Sequence, residues 1–124
     1  MLHGDLIIAK KSFFSALSDE TRLTILYTLK ERGGMCVNDI CEVIGKDQSL
    51  VSHHMRCLRN CGFVTMEKQG KFAVYTIRNK MITDILDLSD KHVKEMSEGI
   101  LHCEVVAEEQ CCKAVPSTKP RRRP

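Results

Sequence analysis

Apolar positions first repeat at helical spacing, then alternate over two short segments, and then return to helical spacing. Before the alternating part, this pattern predicts four short helices. The predicted spans are residues 5–17, about 19–32, 37–44 and about 48–61. The second helix begins at Ser18-Asp19 and the fourth at Asp47 or Ser49, because these side chains cap helix N-termini. The last three helices end at Gly33-Gly34, Gly45 and Gly62.

The alternating segments, residues 63–67 and 72–77, are rich in β-forming side chains. Lys68-Gln69-Gly70-Lys71 between them predicts a turn, and hence a two-stranded hairpin. Residues 79–110 are again helical, with an expected break at Gly99. This order is typical of a winged helix-turn-helix: mainly α with a small β-hairpin, and dimeric. Residues 1–110 would form that domain, with first and last helices for dimerisation, and residues 111–124 a cysteine-containing, basic, flexible tail.

Charge is unevenly distributed over the 124 residues, although the net charge is only +3. Residues 44–78 carry six Lys/Arg and two Asp/Glu, whereas residues 79–115 carry four and eight. A basic middle segment beside an acidic one indicates a nucleic-acid face on the middle segment, and two ordinary solvated faces are the alternative. The chain lacks an apolar run that could span a membrane and an N-terminal secretion signal, so we expect a cytoplasmic protein without a membrane partner.

The fourth predicted helix has one apolar and one polar face. Val51, Met55 and Leu58 share one stripe of a helical wheel and predict the buried side. Polar side chains on the other arc can bond phosphates and base edges of double-stranded DNA. Lysines in the hairpin turn suit phosphate contact. The predicted DNA-binding residues are Gln48, Ser49, Ser52, His53, Arg56, Lys68 and Lys71.

Two of the seven cysteines, Cys57 and Cys61, lie four residues apart on this helix, so their thiolates can converge on one soft metal ion. The alternative is that both are small buried apolar residues. Two ligands do not close a metal site, so a third must come from elsewhere. The other cysteines are Cys36, Cys41, Cys103, Cys111 and Cys112. Cys41 fits the core, and the adjacent Cys111-Cys112 pair suits a second thiolate site, a share in the first, or redox chemistry.

Three segments resemble the ArsR/SmtB family of metalloregulators. Residues 17–26 (LSDETRLTIL) resemble its opening motif, Asp39-Ile40 with residues 49–59 (SLVSHHMRCLR) its recognition helix, and residues 62–64 with 70–75 its wing. The resemblance covers about residues 8–95. It implies a homodimeric winged-helix repressor that binds operator DNA and releases it when metal binds.

Residues 57–62 (CLRNCG) resemble the cadmium- and lead-sensing CmtR type within this family. That resemblance implies Cd(II) or Pb(II) as effector and Cys57, Cys61 and Cys103 as ligands, with Cys103 from the other subunit. Other sensors of this family bind metal through two cysteines on the third helix, and here Asn38 occupies the position of the second. Asn79 and Met81 replace two ligands of its zinc site, which makes Zn(II) the weaker candidate and His92 an ordinary surface residue.

Two further regulatory mechanisms stay open at this point. Arsenite, As(III), takes three thiolates, and Cys103, Cys111 and Cys112 offer them. A thiol redox switch using the same cysteines is the other alternative. A thiol enzyme or metal-trafficking protein is not expected, because the sequence has no His/Asp partner pattern, phosphate loop or Cys-x-x-Cys motif.

Overall fold

A computed structural model describes the backbone of residues 2–114 and the side chains of residues 2–109. Its elements follow the predicted order: α1 (His3–Leu17), α2 (Glu20–Arg32), α3 (Val37–Ile44), α4 (Gln48–Asn60), β1 (Val64–Gln69), β2 (Phe72–Ile77), α5 (Lys80–Leu101) and α6 (Glu104–Ala114). Residues 111–114, which were predicted to begin the flexible tail, form the end of α6, and the rest of that tail, including Arg121, Arg122 and Arg123, lies outside the described residues. The chain divides into two compact units, residues up to 86 and residues from 87 onward.

The starts of α2 and α4 are fixed by aspartates. The Asp19 carboxylate accepts a hydrogen bond from the backbone N–H of Arg22, and the Asp47 carboxylate accepts one from Leu50. Each bond satisfies a backbone donor that a helix N-terminus leaves free. Asp47, rather than Ser49, is therefore the cap of α4.

The core of the first unit is built from the apolar faces of α2, α3 and α4. Ile25, Leu26, Ile40, Val51 and Leu58 are fully buried. The Phe63 ring, after α4, stacks on that of Phe13 in α1 at a centroid distance of 4.9 Å. The apolar stripe predicted for α4 is confirmed, since Val51, Met55 and Leu58 are all buried.

The wing is an antiparallel hairpin in which Val64 pairs with Ile77 and Gln69 with Phe72. The turn is therefore shorter than predicted, because Lys68 and Gln69 continue β1 and only Gly70 and Lys71 lie between the strands. Such two-residue turns suit the natural twist of paired strands.

A backbone bridge joins Met35 to Tyr75 and ties β2 to the segment before α3. Gly34 is required beside it, because an added Cβ would lie 2.8 Å from a methyl carbon of Val74. The wing is thus anchored by a close backbone approach.

The last helical stretch is interrupted, although not where it was predicted. Gly99 lies inside α5; the backbone departs from helical geometry at Met96, and the helices separate at His102 and Cys103. The expectation of a break at Gly99 was wrong, because a helix tolerates one glycine at modest cost. None of the helices within residues 2–114 has the length and apolar character needed to cross a membrane.

Candidate DNA interface and thiol cleft

The outer face of α4 presents the predicted polar residues together. All are exposed and line one shallow surface cleft of about 360 Å³: Gln48, Ser49, Ser52, His53 and Arg56. Because α4 packs its other face on the core, these side chains project from a rigid support. Their hydroxyl, amide, imidazole and guanidinium groups can all bond phosphates or base edges.

The two lysines of the wing occupy different positions. Lys71 is in the turn, whereas Lys68 lies within β1 opposite Ala73. Both are exposed, so both can reach a polyanion. Only Lys71 is at the tip, which corrects the prediction that placed both there.

Cys57 and Cys61 lie together at the carboxyl end of α4. Cys57 is half-buried against the core, and Cys61 is the residue that caps the helix. The pKa of the Cys61 thiol is raised by desolvation first, and then by the neighbouring Cys57. The charge of Arg22 opposes this shift. The shift favours the protonated form of the Cys61 thiol, so metal binding there would have to displace a proton.

The two thiols face a cavity of about 340 Å³ beside α1, here called the thiol cleft. It is lined by Ile8, Lys11, Ser12, Ser15, Ala16, Arg22, Cys57 and Cys61. The alternative in which both cysteines are plain core residues does not fit this placement. Two adjacent thiols on an accessible cleft are suitable donors for a soft ion.

The third predicted ligand, Cys103, belongs to the second unit, at the junction between α5 and α6. It is half-buried and lines an apolar cavity of about 280 Å³ together with His92 and Met96. Within the part of the chain described here, no group of three His, Cys, Asp or Glu side chains is placed to hold one metal ion. The side chains of Cys111 and Cys112 lie outside the described residues.

The remaining two cysteines are both half-buried, in or beside α3. Cys41 packs against the core, as predicted, and burial followed by the charge of Asp47 raises the pKa of its thiol. Cys36 is the N-cap residue of α3, and its side chain makes no capping hydrogen bond.

A polar cluster behind α4 was missed by the sequence analysis. The Arg22 guanidinium lies 3.1 Å (Nη1) from Nδ1 of His54, and the His54 Nε2 lies 3.8 Å from the Asp19 carboxylate. His54 is buried, with 7% of its surface exposed. The helical wheel could have found it, since His54 falls on the stripe of Val51 and Leu58, where a buried imidazole needs polar partners.

The protonation of His54 follows from these partners. Since the guanidinium can only donate, Nδ1 accepts and the hydrogen of the neutral ring is on Nε2. Burial lowers the pKa of His54; Asp19 raises it, and Arg22 and then His53 lower it further, with a net downward shift.

Lowering the pH from about 7.5 to 5.5 is therefore expected to destabilise the fold through His54. Below the ordinary histidine pKa of about 6.5, the unfolded chain takes up a proton that the folded ring does not. Stability contributed by this ring is complete above that pH and is lost as the pH falls towards the folded-state pKa. Urea unfolding followed by circular dichroism across this range measures the effect. The variant His54→Gln should show a flatter profile, and equal slopes in both proteins would contradict the assignment.

Comparison with known proteins places the chain in a family. A sequence profile described as "Bacterial regulatory protein, arsR family" matches residues 19–66. The cadmium resistance transcriptional regulatory protein CadC homolog of Staphylococcus aureus is 38% identical over 95 residues, which are 76% of this chain and 69% of that protein. The chain belongs to the arsR family. It is a DNA-binding transcriptional regulator and not an enzyme, as the resemblance implied.

Two other proteins are similar to this chain. The arsenical resistance operon repressor of Bacillus subtilis is 34% identical over 73 residues, covering 59% of this chain and 70% of that protein. The solution structure of a homodimeric winged helix-turn-helix DNA-binding domain from Mycobacterium bovis superposes with a TM-score of 0.69 at 22% identity, covering 80% of this chain and 90% of that one. The second similarity confirms the predicted winged helix-turn-helix fold.

Proposed function

We propose that the protein is a repressor that binds operator DNA as a homodimer and releases it when cadmium or lead binds its thiols. The observation that carries the proposal is that Cys57 and Cys61 lie together at the end of α4 and line one accessible cleft. The opposite face of the same helix holds the exposed polar residues that suit a DNA groove. A change at the thiols therefore acts on the element that would contact DNA.

The donor set fits a soft ion in part. Cys57 and Cys61 would supply two thiolates, and Cys103 of either subunit would supply the third. A thiophilic ion would contribute strong bonds to sulfur that exclude magnesium and calcium. Such an effector shifts a DNA-binding equilibrium only by its different affinity for the free and the DNA-bound forms.

Exposed apolar side chains support a second copy of the chain as partner. On α1, Ile7 and Phe14 are 56% and 59% exposed, and on α5 Leu88 is 64% exposed. Apolar surface of this kind on α1 and α5 is typical of an interface. The similar domain from Mycobacterium bovis is homodimeric. A dimer would present two copies of α4 to a palindromic site.

DNA release measured against a panel of effectors tests the proposal. The probe is a labelled duplex selected from a random-sequence pool, and anisotropy reports binding by the metal-free protein. We expect Cd(II) and Pb(II) to release the duplex and Cd(II) to produce ultraviolet thiolate-to-metal absorption. Metal binding should lower the DNA affinity by roughly 5- to 150-fold, the usual range of such coupling.

The other effectors in the panel separate the alternatives. Release by As(III) alone would favour an arsenite-responsive repressor, for which the similarity to an arsenical resistance repressor is the supporting observation. Release by peroxide, reversed by a reductant, would indicate a thiol redox switch. Release by Zn(II) alone would point away from the thiol pair. Each result would overturn the cadmium and lead assignment.

A further inference from the structure

Arg22 joins three parts of the first unit through one side chain. Its Nε donates to the carbonyl oxygen of Ala16 at 2.7 Å, and Nη2 donates to that of Ser15 at 3.2 Å. Nη1 lies 3.1 Å from the ring nitrogen of His54. All three guanidinium nitrogens are thus engaged, two with the last turn of α1 and one with the buried side of α4. Such a planar fork can hold several acceptors in fixed directions.

The position of Arg22 is itself fixed. Its backbone N–H donates to the Asp19 carboxylate at 2.9 Å, in the first turn of α2. The carbonyls that it binds belong to the last turn of α1, where that of Ser15 also accepts the backbone N–H of Ser18. A movement of the α1 end would therefore pull on the guanidinium rather than be absorbed by a free side chain.

The same guanidinium forms part of the wall of the thiol cleft, with Cys57 and Cys61. Ser15 and Ala16, whose carbonyls it binds, also line that cleft. Any ligand held by the two sulfurs is thus adjacent to a side chain bonded to both neighbouring helices. The His54 ring in turn lies edge-on to the ring of His53, on the outer face of α4, with a centroid distance of 5.5 Å.

We infer that Arg22 is the positioning residue that couples occupancy of the thiol cleft to the DNA-reading helix through His54. This inference rests on the proposed function, since it names the connection between that function's two sites. A ligand in the cleft changes the charge and shape of the wall, and the guanidinium transmits the change to α4. Arg22 itself is neither a ligand of the ion nor a contact to DNA.

The test compares two cleft-lining residues in the full-length protein. Arg22→Gln removes the guanidinium, and Lys11→Gln is the matched control, because Lys11 lines the same cleft from α1. For each variant we would measure cadmium–thiolate absorption, DNA affinity without metal, and DNA affinity with metal. The informative quantity is the ratio of the two DNA affinities, since a merely structural residue would change stability without changing that ratio.

We expect Arg22→Gln to keep the cadmium absorption while the affinity ratio falls from the wild-type value to about twofold or less, well below ordinary coupling. Lys11→Gln should keep the wild-type ratio. His54→Gln retains a neutral acceptor and should preserve most of the coupling, whereas His54→Leu should lose it. If Arg22→Gln does not fold, Arg22→Lys decides by the same criterion, because one ammonium cannot reproduce the three-way fork.

A second measurement uses the metal-free protein and does not depend on DNA release. The nitrogen NMR signals of the His54 ring should shift in Arg22→Gln and stay unchanged in Lys11→Gln. Suppose that cadmium releases DNA from the wild-type protein as proposed. If Arg22→Gln then keeps the wild-type ratio of DNA affinities, or leaves the His54 ring signals unchanged, only the inference about Arg22 is overturned. Failure of cadmium to release DNA from the wild-type protein would overturn the proposed function and the inference with it.

Discussion

The double substitution Cys57→Ser, Cys61→Ser is expected to abolish the cadmium–thiolate absorption and the release of DNA by cadmium. Two of the three proposed sulfur donors are lost, and a hydroxyl is a poor ligand for a soft ion. Cadmium affinity should fall by more than about 100-fold, because losing only a residue that hydrogen-bonds a metal ligand already lowers metal affinity by up to that factor. Absorption titration and anisotropy on the selected duplex measure the two effects.

The matched control for this variant is Cys36→Ser. Like Cys57, Cys36 is half-buried, but it lies at the N-cap of α3, where serine is a favoured residue. We expect this control to bind cadmium and release DNA like the wild type. DNA affinity without metal should be preserved in both proteins, because neither cysteine of the pair is among the residues lining the α4 surface cleft. Cadmium-induced release that survives the double substitution would disprove the thiol site.

Replacing Arg56 with alanine is expected to weaken binding of the selected duplex by about 10- to 100-fold, since one good base contact contributes roughly 1–3 kcal/mol. Arg56 is exposed and lines the shallow cleft on α4, where its guanidinium can form paired hydrogen bonds to a guanine edge. Anisotropy titrations on the selected duplex and on random-sequence DNA measure the loss in each case.

Arg59→Ala provides the matched control on the same helix. Both substitutions remove one positive charge from α4, but Arg59 is not among the residues that line the cleft. Arg59→Ala should weaken binding of both DNAs by a similar small factor and reduce the salt dependence of that binding. Arg56→Ala should instead reduce the preference for the selected sequence. Equal losses on both DNAs for Arg56→Ala would show that it contacts only the backbone.

Local rules were sufficient for most of the first unit. Asp19 and Asp47 cap helices because a short carboxylate reaches free backbone donors, and that requires only neighbouring residues. The apolar stripe of Val51, Met55 and Leu58 follows from helical periodicity in the same way. The exact length of the wing turn did not follow, since Lys68 and Gln69 have weak preferences that pairing with β2 overrides.

The thiol pair illustrates where sequence reasoning ends. Spacing of four residues places Cys57 and Cys61 on one side of a helix, but it says nothing about the surface opposite them. Ser15, Ala16 and Arg22 complete the thiol cleft from other helices. That neighbourhood depends on how the chain turns between α1 and α2.

The sequence alone determined the element order, the polar face of α4 and the presence of two sulfurs at its end, because helical and strand periodicities and capping are short-range effects. Only the tertiary structure decided that His54 is buried and that Arg22 connects it to α1. Packing of the core brings residues 15 and 54 to the Arg22 side chain. The buried imidazole therefore gains its polar partners only in the folded chain. Long-range neighbours of this kind are fixed by the folded chain as a whole, which no local pattern encodes.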